Sequence, residues 1–118
     1  MNLVFGLAAY NEESSIDPLF TRLLHLEKTV ESLVVVVYND GSLDNTGGKI
    51  HSWQGRLNIH DLAGDVNKGL AFGVAALVEY FVANFNDGDY LVLMDCDNTH
   101  DPAQVPEMLD KTDANTVV

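Results

Sequence analysis

The sequence predicts an α/β protein with a Rossmann-like parallel sheet that helices cover on both faces. Three observations lead to this prediction. Apolar runs suited to strands alternate with helical segments in the order β-α-β-α-β-α-β-α-β. Two of these runs are apolar throughout, as in strands that are buried on both faces. Polar clusters follow three of the predicted strands at their carboxyl ends, where open parallel sheets bind ligands.

Composition limits the size and the partners of the protein. The 118 residues are 47% hydrophobic, which suits one globular domain with a modest core. The formal net charge is −12 at pH 7, so we expect no basic surface and no nucleic-acid partner. Cys96 is the only cysteine, which excludes an internal disulfide and is typical of a reducing compartment. No run approaches the roughly 20 apolar residues of a membrane span.

The first strand is predicted over residues 3–9, which are apolar without alternation. It ends at the cluster Tyr10-Asn11-Glu12. Asp17 then suits a helix N-cap, with Pro18 at the first helical position. We expect this helix to end near residue 29 or 30.

The second strand is predicted over residues 33–38, which are rich in β-branched side chains. The polar cluster Asn39-Asp40-Gly41-Ser42 follows it. Asp44 is expected to cap a short helix over residues 45–54, which two internal glycines weaken. Residues 57–62 alternate between apolar and polar and predict a half-exposed strand at the edge of the sheet.

Residues 64–69 form the next predicted loop, and residues 70–85 give the strongest helical pattern in the chain. A turn then leads into a fourth strand over residues 90–94. Asp101-Pro102-Ala103-Gln104 resembles a capping box that opens a helix to about residue 109, and residues 116–118 resemble the start of a further strand. The helical stripe predicted to be core consists of Leu70, Val74, Leu77, Val78, Phe81 and Phe85.

Two carboxylates stand directly after the fourth strand. Asp95 and Asp97 are two positions apart, so on an extended chain they share a face. Carboxylates held this close repel each other unless a cation lies between them. Mg²⁺ and Mn²⁺ prefer such oxygen ligands. The alternative is an Asp-rich turn after a strand, with no ligand.

Four motifs in this order resemble the donor-binding half of family-2 glycosyltransferases with the GT-A fold. Ala8-Ala9-Tyr10-Asn11-Glu12 is similar to the Pro-Ala-Tyr-Asn-Glu of that family after its first strand. Residues 39–44 are similar to its Asp-Asp-Gly-Ser-x-Asp, and Asn67-Lys68-Gly69 to its Asn-x-Gly loop. Residues 94–102 resemble the polyprenyl-phosphate subgroup, such as dolichol-phosphate mannosyltransferases. The resemblance covers nearly the whole chain.

The resemblance implies a site for a nucleotide-diphosphate sugar, with UDP or GDP as the nucleotide part, and a divalent Mg or Mn ion. It implies that Asp97 binds the metal, while Asp95 contacts the metal or the donor ribose. Asp40 is then expected to contact the base and Glu12 the nucleoside region. The metal ligands expected from the resemblance are Asp95 and Asp97, and the expected donor-binding residues are Ala9, Tyr10, Glu12, Asn39, Asp40, Lys68, Gly69, Asp95 and Cys96.

Several of these residues also have plainer interpretations. Tyr10 either lines the base pocket or closes the core. Lys68 either neutralises a phosphate or is a solvated charge. Cys96 is expected to point away from both aspartates into the sheet packing, as a buried small residue. His100 is either structural or assists the metal or an acceptor phosphate.

The chain departs from the family pattern at two positions. Ala8 replaces the usual proline, which loosens the loop without changing its chemistry. Asn39 replaces the first aspartate of the second motif, in a region that holds the nucleotide base in the family. An amide removes a charge and adds a donor, so the preference for uracil or guanine stays open.

The resemblance implies an inverting transfer of the sugar to an acceptor, with a polyprenyl phosphate as one candidate. In the family, the base and the acceptor residues lie beyond the acidic motif, so no catalytic base is named in this chain. We expect residues 1–118 to be a single nucleotide-sugar-binding domain, truncated relative to a full glycosyltransferase and inactive alone. We also expect a cytoplasmic location, at the cytoplasmic face of a membrane if a longer parent has membrane segments.

Two other functions compete with this interpretation. Residues 95–99 also match the Asp-x-Asp-x-Thr motif of haloacid-dehalogenase-like phosphatases, in which Asp95 would be the nucleophile beside Mg²⁺. That motif usually opens a chain, and it leaves the clusters at Tyr10 and Asp40 unexplained. The other alternative is a non-catalytic nucleotide-sugar-binding module. A nucleotidyltransferase is disfavoured because residues 11–15 are acidic and contain no glycine.

Overall fold

A computed structural model of the chain describes residues 2–96 and Pro102. Four strands alternate with three helices along this part of the chain. The predicted helix after Asp101, the predicted strand at residues 116–118, Asp97 and His100 lie outside the described residues. The elements are β1 (Leu3–Ala9), α1 (Glu13–Glu27), β2 (Leu33–Asp40), α2 (Thr46–Ser52), β3 (Ile59–Gly64), α3 (Leu70–Asn84) and β4 (Tyr90–Asp95).

The four strands form one parallel sheet in the order β3-β2-β1-β4. The chain steps outwards from β1 to β2 and β3, and then crosses back to place β4 on the other side of β1. The strand order therefore reverses at β1 and β4, which is where open α/β sheets leave a crevice for ligands. The prediction that the third strand lies at an edge is confirmed for the described part of the chain, in which β3 is the outermost strand on its side of the sheet.

Side-chain alternation along the strands separates two cores. Odd-numbered residues of β1 and β2, such as Phe5 and Val35, pack with α1 and α2 in the larger core. Even-numbered residues, such as Val4 and Val36, pack against Leu77 of α3 on the opposite face. Both faces of the central strands are thus covered, which explains why these strands lack polar alternation. The predicted parallel sheet with helices on both faces is confirmed.

Two glycines bring α3 close to the sheet. A Cβ on Gly6 of β1 would lie 3.1 Å from Leu93 Cδ2 and 3.7 Å from Leu77 Cβ. A Cβ on Gly73 of α3 would lie 3.2 Å from the Tyr38 ring. The predicted stripe of α3 faces this core from Leu77 to Phe85, but Leu70 is 60% exposed. Leu70 is the first residue of α3 and precedes the buried positions of the helix, Gly73 and Leu77.

The predicted start of α1 is wrong. The helix begins at Glu13, so Asp17 and Pro18 lie inside it and not at its cap. The backbone N–H of Glu12 donates to Thr46 Oγ1 at 2.9 Å, and that of Glu13 donates to Asp44 Oδ2 at 3.4 Å. Thr46 and Asp44, which lie 34 and 31 positions further along the chain, therefore accept the N–H groups that a local capping side chain usually satisfies.

Asp17 instead joins α1 to the segment around α2. Its carboxylate accepts a hydrogen bond from Trp53 Nε1–H at 2.9 Å and forms an ion pair with Lys49 Nζ at 2.9 Å. The hydrogen bonds from Trp53 and Lys49 lower the pKa of Asp17. The Arg56 guanidinium stacks over the Trp53 ring, with its Cζ 3.6 Å from the ring centre, in a cation–π contact.

The bounds of several further elements differ from the prediction by one to three residues. The second helix ends at Ser52, and the third strand begins at Ile59, two residues later than predicted. Asn45, and not Asp44, stands at the N-cap of α2 and makes no side-chain capping bond, but the Asp44 carboxylate one residue earlier accepts the N–H of Thr46 at 3.0 Å. Among residues 2–96 and Pro102, no helix has the length and apolar character needed to cross a bilayer.

Candidate functional site

A cavity of about 320 Å³ opens at the carboxyl ends of β1, β2 and β4, where the strand order reverses. The start of α3 closes one side of it. Such a position at a parallel sheet is the usual place for a ligand. Its lining consists of Ala8, Ala9, Tyr10, Glu12, Tyr38, Asp40, Asn67, Gly69, Leu70, Gly73, Asp95 and Cys96.

Strand register aligns three of the lining residues across the sheet. Tyr38, Ala8 and Asp95 are aligned across β2, β1 and β4. The backbones of neighbouring strands are about 4.8 Å apart, so the Cα atoms of Tyr38 and Asp95 lie about 10 Å from each other. Ala8 between them has only a methyl group, and α3 comes close to it at Gly73, where a Cβ would lie 3.9 Å from the Ala8 Cβ. Asp40 lies two residues after Tyr38 and therefore on the same face.

Most of the predicted donor-binding residues line this cavity. Tyr10 is 41% exposed, so it lines the cavity and does not close the core. Cys96 is buried in the larger core, as predicted, and it also reaches the cavity edge. The predicted residues that the structure brings together are Ala9, Tyr10, Glu12, Asp40, Gly69, Asp95 and Cys96.

Asn39 does not line the cavity. Its side chain lies on the opposite face of β2, near α2, where its Oδ1 accepts the Ser42 hydroxyl at 2.5 Å. Ser42 Oγ accepts the backbone N–H of Asn11 at 3.0 Å, and Asn11 Oδ1 accepts the N–H of Leu43 at 2.8 Å. These bonds hold Asn11 at a positive φ of 53°. Asn39 thus braces the loop that follows β1, and no contact with a base follows from its position.

Lys68 also lies outside the cavity lining. Its Nζ stands 4.6 Å from the centre of the Phe72 ring, one turn further along the chain. This is a cation–π distance. The Phe72 ring itself packs against Tyr38, with ring centres 5.8 Å apart, and Lys68 is not among the residues that line the cavity, so its role in neutralising a phosphate stays a prediction.

Asp40 accepts two hydrogen bonds from the loop before α3. The N–H of Lys68 donates to Oδ1 at 2.8 Å, and the N–H of Gly69 donates to Oδ2 at 2.9 Å. The carboxylate is buried, at 6% exposure, and lines the cavity. Its predicted contact with a base stays a prediction, but its bonds to the loop were not foreseen.

Segment 39–46 therefore bonds to two loops beside the cavity, the β1–α1 loop and the β3–α3 loop. Ser42, whose hydroxyl donates to Asn39, accepts the N–H of Asn11 in the β1–α1 loop, and Asp44 and Thr46 accept N–H groups at the start of α1. Asp40 binds the β3–α3 loop on the other side. The acidic and hydroxyl residues of this motif thus hold the site together, besides any contact with a ligand. The hydroxyl of Thr46 lowers the pKa of Asp44, which keeps this carboxylate ionised as an acceptor.

The cavity lining is acidic. Glu12, Asp40 and Asp95 contribute carboxylates, and the lining within the described residues includes no lysine or arginine. An anionic ligand would be repelled here unless a cation accompanied it. Asp95 is exposed and offers a carboxylate, the ligand type that Mg²⁺ and Mn²⁺ prefer. In residues 2–96 and Pro102, no three His, Cys, Asp or Glu side chains are grouped to hold a metal, and Asp97 lies outside this range.

Several lining residues were missed as site residues. Tyr38 could have been predicted from the sequence, because it stands two positions before Asp40 on the same strand and so lies on the same face of the sheet. Asn67 had a signal in the Asn-Lys-Gly motif that opens α3. Leu70 and Gly73 had none, since both read as ordinary positions of an apolar helix.

The sequence model of glycosyl transferase family 2 matches residues 5–118. An uncharacterized protein of Methanocaldococcus jannaschii, MJ0544, is 29% identical over 109 residues, covering 89% of this chain and 44% of its own length. A crystal structure of S. aureus TarS (residues 1–349) superposes with a TM-score of 0.71 at 21% identity, covering 94% of this chain and 33% of TarS. This likeness shows the shared GT-A fold. The chain spans less than half of either protein. With its parallel sheet, its cavity at the strand ends and a family match over nearly its whole length, the chain belongs to glycosyl transferase family 2.

Proposed function

We propose that this chain is the donor-binding part of an inverting glycosyltransferase that takes a UDP- or GDP-sugar together with Mg²⁺ or Mn²⁺. The observation that carries the proposal is the acidic cavity at the point where the strand order reverses. The cavity has a volume of about 320 Å³ and extends across β1, from Tyr38 on β2 to Asp95 on β4.

The residues have separate roles in this proposal. Tyr10, exposed at the rim, offers an aromatic face to the base. Asp40 and Glu12 offer acceptors to the N–H and O–H groups of the nucleoside. Asp95 takes the side of the cavity nearest β4, where the diphosphate would lie.

Asp95, together with Asp97 as implied by the family motif, would hold the metal ion. When bound, the ion would offset the charge of the diphosphate and of the carboxylates that line the cavity. Without such an ion the lining would repel the donor, because three carboxylates face it and no cationic side chain of the described residues does.

The proposed reaction is attack of an acceptor oxygen on the anomeric carbon of the donor sugar. The bond from that carbon to the diphosphate oxygen breaks, and the nucleoside diphosphate leaves with the electron pair. A hydroxyl acceptor loses its proton to a base, whereas a phosphate acceptor is already ionised. We propose a polyprenyl phosphate as the acceptor because of the resemblance of residues 94–102 to that subgroup. We name no catalytic base in this chain.

Calorimetric titration of UDP and GDP, each with and without Mn²⁺, tests the proposal. We expect one nucleotide to bind in a metal-dependent manner, and Asp95→Asn to weaken that binding at least about tenfold. Asp87→Asn is the matched control, since Asp87 is exposed in the turn before β4, at the opposite end of the sheet. Metal-independent binding that Asp95→Asn leaves unchanged would refute the proposal.

A phosphatase assay on the same samples separates the main alternative. Hydrolysis of a phosphate monoester that requires Mg²⁺ and is lost in Asp95→Asn would support Asp95 as a nucleophile. Nucleotide binding without transfer in a longer version of the protein that includes the acceptor half would support a binding module. No observation on the described residues favours either alternative over the glycosyltransferase.

A further inference from the structure

The carboxylate of Asp40 bonds two consecutive backbone N–H groups, one with each oxygen. Lys68 donates to Oδ1 at 2.8 Å and Gly69 donates to Oδ2 at 2.9 Å. Charge-assisted bonds of this kind, shielded from water at 6% exposure, are the strong class. They join the last residue of β2 to the residues directly before α3.

The neighbouring Gly41 brings the same two segments into contact. A Cβ on Gly41 would lie 2.5 Å from the backbone nitrogen of Asn67 and 2.5 Å from the carbonyl carbon of Val66. Gly41 also has a φ of +66°, which side chains rarely adopt. The end of β2 and the loop before α3 are thus packed backbone to backbone, and only glycine allows this approach.

The start of α3 depends on this contact. Gly69 precedes the helix with φ 94° and ψ 164°, and no side chain of its own caps the helix. Gly69, Leu70 and Gly73 form the wall of the cavity on this side. A displacement of residues 68–69 would therefore move that wall.

We propose that Asp40 is a positioning residue, which fixes residues 68–69 and thereby shapes the cavity wall formed by the start of α3. This inference rests on the proposed function, since it concerns the affinity of the cavity for a nucleotide. It goes beyond a direct contact between Asp40 and the base, because a change on the Gly41 side of the contact should have the same consequence.

Amide hydrogen exchange tests the positioning directly. In Asp40→Asn, one of the two oxygens becomes an NH₂ group that cannot accept a bond. We expect exchange of the Lys68 and Gly69 amides to be about tenfold faster than in the wild type. Gly41→Ala should accelerate the same amides while leaving the Asp40 carboxylate in place. Gly55→Ala is the control, because a Cβ there meets no atom within 4 Å.

Nucleotide affinity, measured with Mn²⁺ in the same four proteins, tests the consequence. We expect Asp40→Asn and Gly41→Ala each to weaken binding about tenfold, and the double variant to lose less than the product of the two. If Asp40→Asn is unfolded by circular dichroism, Gly41→Ala alone still carries the test. Weakened affinity in Asp40→Asn with unchanged exchange at Lys68 and Gly69 would overturn the inference and leave a direct contact.

Three further outcomes separate this inference from the proposed function. Faster exchange with unchanged affinity would also overturn the inference, since the contact would then be structural only. If the wild type binds neither nucleotide, the proposed function fails and the inference fails with it. If the wild type binds a nucleotide and both variants keep wild-type amide exchange and affinity, the inference is overturned while the proposed function stands.

Discussion

The hydroxyl oxygen of Thr46 accepts the backbone N–H of Glu12 at 2.9 Å, although the two residues are 34 positions apart. Thr46 is fully buried and also donates its hydroxyl hydrogen to Asp44. One side chain at the start of α2 therefore caps the start of α1 and fixes the loop that carries Tyr10 and Glu12 to the cavity.

Thr46→Val keeps the shape of this side chain and removes its hydroxyl. The N–H of Glu12 would then lack its acceptor, so we expect a loss of about 1–3 kcal/mol in the free energy of unfolding. Urea denaturation measures this loss. Thr21→Val is the matched control, because Thr21 is exposed on α1 and its hydroxyl only bonds the Asp17 carbonyl. The control should cost less than about 0.5 kcal/mol. Equal losses in both would show that the cap is not important.

Asp89 should make the protein sensitive to acid. It is 3% exposed, and its carboxylate accepts N–H bonds from Asn2 at 2.6 Å and from Asn86 at 2.9 Å. Burial alone would raise the pKa of Asp89, but the hydrogen bonds from Asn2 and Asn86 outweigh it and hold the pKa below its ordinary value of 3.8. The stabilising contribution is therefore present above pH 3.8 and is lost as pH falls through the lower folded pKa.

Asp89→Asn tests this sign. We expect the variant to be less stable than the wild type by about 2 kcal/mol at pH 7, with a smaller difference at pH 3. Urea denaturation at both pH values measures it. Asp87→Asn in the same turn is exposed and should change the free energy of unfolding by less than about 0.5 kcal/mol at pH 7. A difference for Asp89→Asn that grows on acidification would contradict the assignment.

Gly64 should be intolerant of a side chain because of Tyr38. A Cβ at Gly64 would lie 2.6 Å from the Tyr38 hydroxyl oxygen, on a ring that also contacts Gly73. We expect Gly64→Ala to cost about 1–3 kcal/mol, because the rigid ring cannot move without disturbing α3. Thermal or urea unfolding measures this cost. Gly55→Ala, with open space around it, should be neutral or slightly stabilising. A neutral Gly64→Ala would mean that Tyr38 is mobile.

Tyr10 should contribute to nucleotide affinity and little to stability. Its ring is 41% exposed at the cavity rim, so Tyr10→Ala should leave the free energy of unfolding within about 0.5 kcal/mol of the wild type. Loss of stacking on a base should weaken nucleotide binding by about tenfold. Leu43→Ala is the control, since Leu43 is 87% exposed and outside the cavity lining. Unchanged affinity in Tyr10→Ala would remove Tyr10 from the site.

The sheet was predictable because strands that are buried on both faces have a recognisable sequence pattern, an uninterrupted apolar run. Residues of β1 and β2 are buried on both faces, and their apolar runs lack alternation for that reason. The cavity was predictable from the same strands, because their carboxyl ends carry the polar clusters.

The position of Asn39 was not predicted because β2 is longer than expected. The predicted strand stopped at residue 38, which left Asn39 and Asp40 as neighbours in one loop. The strand continues to Asp40, so these two side chains point to opposite faces of the sheet. Asp40 consequently lines the cavity while Asn39 bonds Ser42 on the other side.

The start of α1 could not be predicted from local signals. Asp17-Pro18 is a strong local capping pattern, but it lies inside the helix. The actual cap comes from Asp44 and Thr46, which approach only once β1 and β2 have paired. Tertiary contacts of this kind leave no periodic signal in the sequence.

The most direct test of the central claim is a nuclear magnetic resonance titration of the ¹⁵N-labelled chain with UDP and with GDP in the presence of Mg²⁺. We expect one nucleotide to produce saturable shifts in the backbone amides of Tyr10, Gly69 and Asp95, which line the cavity. The amides of Asn2 and Asp89, at the opposite end of the sheet, should not shift. An absence of saturable shifts with both nucleotides, or shifts concentrated at Asn2 and Asp89, would contradict a donor site at this cavity.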